Sequence, residues 1–428
     1  MKRFINSFFS KPNEISSGLM LLLSILIVIL LTPILARNCP NGIIIGLMVL
    51  VIASLCPILA VLERRSKRAL FVLAVYMAVI TVYKLIGKST AELYYYFNMV
   101  QFYFFFGAGC AILPNLKHAQ KKILLAVICG AVLITVVHNV YLFFDYGGKE
   151  YVMLFRVDKY TTNSINTPYV TAIMLLSGLA FVVGLDKKHT FWSRFVFCAI
   201  AFLGLMFITL IVQRMIVLLL SLLLAGLLVI SQSNIFKKEK ASRRTGLLWS
   251  AGIMAVFILL WIYAVPILEL VKRVIFSSRL DKRIDQIIRL IQTGDIRTAG
   301  GSLTVRYELI VTSLRTFTRS LSNALLGAGD HRITNAIIGN HSYLFDELAR
   351  YGILLAPISY LLFYQALCSV YRGAELSQGT VLSRQLRCVL IVVVLRAVVG
   401  AIYDASIGIV LFLAVPLLFN VIQDKQET

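Results

Sequence analysis

Residues 17–36 read SGLMLLLSILIVILLTPILA, an apolar run without a charged side chain. A helix of about 20 residues crosses the hydrocarbon core of a bilayer, which is roughly 30 Å thick. The run is longer than the apolar core of a secretory signal peptide, and the Arg37-Asn38-Cys39-Pro40 segment after it offers no small-residue cleavage site. These residues therefore predict a retained first transmembrane helix.

The whole chain has the composition of a polytopic membrane protein. Of its 428 residues, 59% are hydrophobic and only 14% are charged, which is not the composition of a soluble domain. The formal charge of +22 raises the question of nucleic acid, but the basic residues are scattered between apolar runs, so we do not expect a nucleic-acid partner. The seven cysteines share no CxxC spacing and lie mostly within apolar runs, so we interpret them as packing residues and expect neither a metal nor a cofactor.

Similar apolar runs recur along the chain and predict an all-α fold of about twelve transmembrane helices, because backbone polar groups in lipid must be hydrogen-bonded within a helix. The long apolar stretch 191–230 is divided at Gln213-Arg214. The approximate predicted spans are 17–36, 42–62, 69–87, 95–113, 122–144, 167–185, 192–211, 214–231, 246–267, 350–370, 384–402 and 404–422.

The orientation follows from the distribution of lysine and arginine, which are enriched in cytoplasmic loops. ERRSKR at 63–68 and KKEKASRR at 237–244 are the clearest basic segments. Both fall on the same side as the N-terminus when the chain starts inside, and an even number of spans returns the C-terminus to that side. We therefore predict that both termini are cytoplasmic.

One outer loop is much longer than the others and divides the predicted chain into three regions. Residues 1–271 hold helices one to nine, residues 272–347 form the extracytoplasmic loop, and residues 348–428 hold helices ten to twelve. A loop of this length in a compact domain is more often functional than idle.

The loop itself contains two amphipathic segments. Residues 278–292 place four apolar side chains on one helical face and basic residues on the other, which is typical of a helix in the membrane interface; the four are Leu280, Ile284, Ile287 and Ile291. A second amphipathic stretch is predicted from about Thr304 to Leu325. TGDIRTAGG at 293–301 and LLGAGDH at 325–331 are glycine-bearing turns that allow sharp chain reversals.

Charged residues within apolar spans are costly and are candidates for function. Arg214 lies in LIVQRMIVL, at the predicted outer end of helices seven and eight. Two interpretations remain open for it: an arginine that snorkels to the interface, or a fixed cation that grips two oxygens of a phosphate group. Arg396 and Asp404, around the last outer turn, are auxiliary candidates whose simpler interpretation is a mutual charge pair.

The segment GNHSYLFDELARYG, residues 339–352, places His341 at a junction between loop and helix, followed by Ser342 and Asp346. A neutral imidazole suits general-base catalysis on a sugar hydroxyl. The alternative is a helix start held by local hydrogen bonds, in which Asp346 and Arg350 form an i,i+4 ion pair. The residues alone do not decide between these interpretations. Arg306 lies in GGSLTVRYELI. Taken alone, it is more simply interpreted as a solvated cation of the loop.

GAGDH followed by GNHSYLFDELARYGIL resembles the signature of the O-antigen polymerase and O-antigen ligase superfamily, in which a glycine turn of a long outer loop leads to a histidine and then to an acidic residue and Tyr-Gly. The resemblance is close from Arg306 to Gly352. It implies a metal-independent, inverting glycosyltransferase of GT-C type at the outer face of a bacterial plasma membrane. The implied donor is a glycan on undecaprenyl diphosphate, and the implied partners are membrane lipid, a flippase and a regulator of chain length.

The resemblance also implies roles for individual residues. Arg214 and Arg306 match the family's two arginines, which hold the diphosphate and stabilise its charge as it leaves. His341 matches the family's histidine, which deprotonates or orients the acceptor hydroxyl. Ser342 and Asp346 are auxiliary candidates.

The superfamily contains both polymerases and ligases, and the expected activity here is polymerisation. Ligases that attach glycan to the lipid A core more often have His-Asn where this chain has His341-Ser342. The main alternative is therefore a ligase of that kind. A flippase for the same lipid-linked glycan is a further alternative, but transporters usually concentrate ionisable residues near the bilayer midplane, whereas these candidates gather at one face. A scaffolding protein would not require Arg214, Arg306 and His341 to converge.

Overall fold

The computed structural model describes residues 15–59, 64–87, 93–145, 167–185, 191–208, part of 217–228, 262–274, 278–328, 338–339, 342–375, 380–400 and 402–418. All regular secondary structure in these residues is helical, and they contain no strand. The predicted all-α fold class is therefore confirmed.

The described helices overlap ten of the twelve predicted apolar runs, and the other two, 214–231 and 246–267, lie mostly outside the described residues. The helices are α1 (Ser17–Leu31), α2 (Pro33–Asn38), α3 (Asn41–Leu59), α4 (Arg64–Gly87), α5 (Leu93–Ile112), α6 (His118–Asp145), α7 (Thr167–Leu185), α8 (Phe191–Met206), α9 (Ala264–Val274), α10 (Ser278–Thr293), α11 (Ile296–Ala299), α12 (Gly301–Thr318), α13 (Leu321–Leu326), α14 (Tyr343–Glu375), α15 (Thr380–Val399) and α16 (Ala405–Ile409).

Four stretches among the described residues are long and apolar enough to cross a membrane. They are Asn41–Ile58, Phe97–Asn115, His118–Asp145 and Tyr343–Cys368, which belong to α3, α5, α6 and α14. Large apolar side chains on two of these helices point outward: Val49 is 57% exposed and Ile134 68% exposed. Outward-facing apolar side chains of this kind are expected where lipid rather than water surrounds a helix.

The last described helix forms the centre of the bundle. Residues 402–418 are all buried, and α16 continues as a π-helical turn over Val410–Ala414. This segment packs against α1, α5, α6 and α7. Aromatic rings contribute to the packing, with the centroid of Phe412 lying 5.1 Å from that of Phe102 and 5.4 Å from that of Phe106. A helix that is apolar on every side is expected at the core of such a bundle.

Three of the differences from the predicted helix boundaries illustrate how the helices begin and end. The first predicted span is broken at Thr32, because Pro33 begins α2 and cannot donate a backbone hydrogen bond within a continuing helix. The second amphipathic stretch is divided into α12 and α13, since the Ser320 hydroxyl accepts a hydrogen bond from the Asn323 amide and caps a new helix. The tenth predicted span was placed at 350–370, but α14 already begins at Tyr343.

In the predicted loop 272–347, α10 confirms the amphipathic helix predicted over 278–292. Its side chains Ile284 and Ile288 are buried. The helix packs against α9 and α11. The Lys272 ammonium at the end of α9 lies 2.6 Å from the Asp285 carboxylate of α10, and this hydrogen bond raises the pKa of Lys272. Because that pKa is already alkaline in the unfolded chain, the stabilisation is present at neutral pH and is lost only as the pH rises through the higher folded value.

The loop is attached to α14 by two glycines that fit against each other. Gly327 after α13 and Gly352 within α14 have φ angles of +82° and +63°, which L side chains rarely adopt. A Cβ on Gly327 would lie 2.1 Å from the Arg350 carbonyl oxygen, and one on Gly352 would lie 2.4 Å from the Leu325 carbonyl oxygen. The Ala328 amide donates to the Ala349 carbonyl at 2.9 Å. This contact kinks α14 and holds the loop against it.

We expect Gly352→Ala to destabilise the protein strongly, because the substitution combines a left-handed φ with a collision against backbone. Gly294→Ala is the matched control, since Gly294 has a φ of +67° but a Cβ there would meet nothing within 4 Å. The free energy of unfolding of the control should fall only by the cost of the backbone strain, roughly 1–2 kcal/mol. Thermal denaturation of the detergent-solubilised variants, followed by size-exclusion chromatography, measures the difference. Equal melting temperatures for the two variants would contradict the glycine contact.

Candidate functional site

The structure describes most of the predicted site residues. Arg214 and His341 lie outside the described residues. The residues whose contacts can be given are Arg306, Ser342, Asp346, Arg396 and Asp404.

The side chain of Arg306 binds the carboxyl end of α15. It is half-buried on α12, and its Nη1 donates to the Val399 carbonyl oxygen at 2.9 Å. The last carbonyls of a helix have no partner within the helix and carry partial negative charge, so a guanidinium is a favourable cap. Arg306 is therefore held in place by the protein rather than being a freely solvated loop cation.

The beginning of α14 meets the same end of α15. The Tyr343 amide donates to the Gly400 carbonyl oxygen at 3.2 Å, one residue beyond the carbonyl bound by Arg306. Tyr343 is separated from His341 only by Ser342. The turn after α15 therefore brings Arg306 together with the chain segment that continues directly from His341.

Arg396 lies beneath this turn and connects α15 to α7. Its side chain is 1% exposed, and its Nε donates to the Thr171 hydroxyl at 2.9 Å. The guanidinium occupies the space beside Gly400, where a Cβ would lie 1.1 Å from Nη1. Glycine at 400 therefore makes room for the buried arginine.

Asp404 begins α16. Its Oδ1 accepts from the Ser406 amide at 2.9 Å and also from the Ser406 hydroxyl. This is an N-terminal cap. The contacts of Arg396 and Asp404 favour structural roles for both, as anchors on either side of the turn at Gly400.

Ser342 and Asp346 cap the first turn of α14. The Ser342 hydroxyl accepts from the Phe345 amide, and Asp346 Oδ2 accepts from the Ser342 amide at 2.8 Å. Asp346 Oδ1 accepts from the Ser313 hydroxyl at 2.6 Å. The alternative interpretation paired Asp346 with Arg350, whereas in the structure Arg350 Nη1 lies 3.9 Å from the Glu347 carboxylate and Asp346 accepts from Ser342 and Ser313.

Behind this first turn lies a buried polar network that the sequence analysis missed. Glu347 is completely buried, and its Oε2 accepts from the Tyr76 hydroxyl of α4 at 3.3 Å. Arg350 is only 1% exposed. Burying both charges is expensive unless they are paired and hydrogen-bonded.

Tyrosines extend the network to the central helices. The hydroxyl of Ser359 lies 2.8 Å from that of Tyr343 and 2.9 Å from that of Tyr403, and the Tyr403 hydroxyl lies 3.3 Å from that of Tyr103. The chain of contacts therefore joins α14 to α5 and to the segment before α16. A charged group inside an apolar span is the signal that was available, and Glu347 and Arg350 stand at the edge of one.

The comparisons with known proteins add no identification. No protein-family model matches the chain, and a search of curated proteins finds no match either. Among the described residues, no three His, Cys, Asp or Glu side chains are grouped as metal ligands would be. The resemblance to the polymerase and ligase superfamily, the site assignments and metal independence therefore stay predictions.

We expect Arg350→Met to lower the free energy of unfolding by about 3–5 kcal/mol, because it removes the cation beside a buried carboxylate. Adding Glu347→Gln should recover part of this loss, since the amide oxygen can still accept from Tyr76. Equilibrium unfolding in mixed micelles measures the free energy of unfolding of each variant. The control is Lys272→Met, which breaks an ion pair whose side chains are 33% and 38% exposed and should therefore have only a small effect. A double variant less stable than Arg350→Met alone would contradict the pairing.

Proposed function

We propose that this protein is a membrane glycosyltransferase that polymerises lipid-linked repeat units for O-antigen or capsule biosynthesis. The observation that supports the proposal is the meeting of Arg306 and the beginning of α14 on consecutive carbonyls, those of Val399 and Gly400. Two separate parts of the motif similarity, one on α12 and one beside His341, are thereby adjacent in space. A purely scaffolding protein has no need for this convergence.

The proposed reaction transfers a growing glycan from undecaprenyl diphosphate to the sugar of a second lipid-linked unit. The acceptor hydroxyl oxygen attacks the anomeric carbon, the bond from that carbon to the diphosphate oxygen breaks, and the configuration inverts. His341 takes the hydroxyl proton, and undecaprenyl diphosphate leaves with the bonding electrons. Because the diphosphate is already a good leaving group, the protein needs cations and a base rather than a nucleotide site or paired carboxylates.

Arg214 and Arg306 are the proposed cations for the diphosphate. A guanidinium presents five N–H donors in a planar fork that matches phosphate oxygens. The hydrogen bond from Arg306 Nη1 to Val399 fixes the position of this fork relative to α14. A cation positioned before the reaction stabilises the leaving charge without reorganising during the reaction.

The proposed setting is the outer face of a bacterial plasma membrane, with both termini in the cytoplasm. The apolar helices support a membrane protein. The full proposal extends them to a GT-C arrangement of about twelve spans, with residues 272–347 outside. A flippase that delivers the lipid-linked units and a regulator of chain length are the proposed partners.

A reconstitution with purified substrates distinguishes the proposed activity from its alternatives. Protein in proteoliposomes is incubated with undecaprenyl-diphosphate-linked repeat units, with and without lipid A core. A ladder of products without lipid A core supports the polymerase. A single transfer that requires lipid A core indicates a ligase, and movement of the substrate across the bilayer without a new glycosidic bond indicates a flippase.

We expect His341→Ala to abolish the ladder while the amount of protein in the membrane stays unchanged, because the variant lacks the proposed base. The control is His118→Ala, which removes an exposed histidine at the start of α6. Product length is followed on gels. Normal chain lengths from the His341→Ala protein would exclude the general-base role.

We expect Arg306→Ala and Arg214→Ala each to lower kcat/KM for the lipid-linked donor by about 10²–10³-fold, as for loss of one donor to a developing oxyanion. Lysine at either position should rescue only partly, because its point charge does not reproduce two parallel hydrogen bonds. Arg315→Ala is the matched control, since Arg315 is an exposed arginine on the same helix as Arg306. Normal turnover by the Arg214→Ala/Arg306→Ala double variant would show that the diphosphate assignment is wrong.

A further inference from the structure

Residues 339–342, which contain His341, are called the histidine segment. The hydroxyl of Ser313 connects α12 to both ends of this segment. Ser313 is completely buried, and its Oγ accepts from the Gly339 amide at 2.9 Å while donating to Asp346 Oδ1 at 2.6 Å. The second carboxylate oxygen of Asp346 accepts from the Ser342 amide at 2.8 Å. One Ser–Asp pair therefore binds the backbone on both sides of Asn340-His341.

Packing leaves little freedom at the first of these two anchor points. Gly339 is buried, and a Cβ there would lie 2.3 Å from the Leu309 carbonyl oxygen of α12. At the second anchor point, the Ser342 hydroxyl also caps α14. Gly339 and Ser342, which flank Asn340-His341 in the sequence, are therefore both held by the Ser313–Asp346 pair.

The same face of α12 supplies Arg306. Ser313 follows Arg306 by seven residues, which is close to two helical turns, so both side chains lie on one face of the helix. Arg306 contacts the turn after α15, and Ser313 contacts the segment before α14. One helix, α12, thereby sets the spacing between Arg306, which is proposed to bind the diphosphate, and the histidine segment.

We propose that Ser313 and Asp346 are positioning residues that hold His341 in its working place through the backbone of Gly339 and Ser342. This inference rests on the proposed function, because it assumes that His341 acts on the acceptor hydroxyl. Asp346 acts here as an acceptor for two hydrogen bonds. We assign Asp346 no role as a charged partner of the imidazole.

Two substitutions of Asp346 separate backbone positioning from a charge effect. Asparagine can still accept from the Ser342 amide through its oxygen and can donate to the Ser313 hydroxyl through its NH₂ group, whereas alanine removes both contacts. We expect Asp346→Ala to lower kcat by about 10–100-fold, the scale of a small displacement of a catalytic group, with KM for the repeat unit almost unchanged. Asp346→Asn should lose less than about fivefold. An Asp346→Asn protein as inactive as Asp346→Ala overturns the positioning role in favour of a required charge.

Ser313→Ala tests the other member of the pair. It should lower kcat over the same range and leave KM unchanged, because it releases Gly339. The matched control is Thr312→Ala, which removes the neighbouring hydroxyl, bonded at 2.7 Å to the Glu308 carbonyl of its own helix. A folded Ser313→Ala protein with the kcat of Thr312→Ala overturns the proposal. If Ser313→Ala does not fold, the two Asp346 variants decide the question.

Hydrogen–deuterium exchange in nanodiscs tests the contacts independently of activity. Relative to wild type, Ser313→Ala should speed exchange of the Gly339 amide, and Asp346→Ala should speed exchange of the Ser342 amide. Unchanged exchange in both variants overturns the proposal even where wild-type protein polymerises. A wild-type protein that extends no lipid-linked substrate while the exchange shifts as expected instead overturns the proposed function, and with it the catalytic meaning of these contacts.

Discussion

The carboxyl end of α15 is the constraint on which the arrangement of the candidate site depends. A helix that ends within a protein exposes carbonyl oxygens that its own backbone cannot satisfy, and leaving them without donors in apolar surroundings is costly. Here the donors come from two separate parts of the chain: Arg306 of α12 and the amide of Tyr343. Satisfying one helix end therefore requires α12 and α14 to lie together against it.

The described helices between α9 and α14 are correspondingly packed parts of the protein rather than a loose connection. Helices α12 and α13 are held to α14 at both ends of that helix's first turns, by Ser313 at the beginning and by Gly327 at the kink. The first contact is a hydrogen bond of 2.6 Å between two side chains, and the second is a close approach to backbone atoms, so both leave little room for sliding. A site assembled from a loop and a helix keeps its geometry only when the loop is anchored in this way.

The sequence alone was sufficient for what depends on local pattern. Runs of apolar residues located most of the described helices outside residues 272–347, and the spacing of Ile284 and its neighbours located α10. It was insufficient where the outcome depends on contacts between distant residues. The hydrogen bond from Arg306 to Val399 joins residues 93 positions apart, and that from Tyr76 to Glu347 joins residues 271 positions apart. A periodic sequence pattern predicts neither contact. The early start of α14 had a local signal in Ser342, but the apolar average of the following run outweighed it.

The buried pair of Glu347 and Arg350 is difficult to explain as a source of stability. At a separation of 3.9 Å and an effective dielectric constant of about 20, two unit charges attract by roughly 4 kcal/mol. Removing each ion from water costs several kcal/mol, so apolar side chains of similar size would serve stability as well or better. What this pair and Tyr76 add is direction, because the hydrogen bond that the Tyr76 hydroxyl of α4 donates to Glu347 requires one particular rotation of α14. That rotation also sets where the first turn of the helix, with Ser342 and Asp346, faces the loop, so the costly network lies where the orientation of the proposed site is decided.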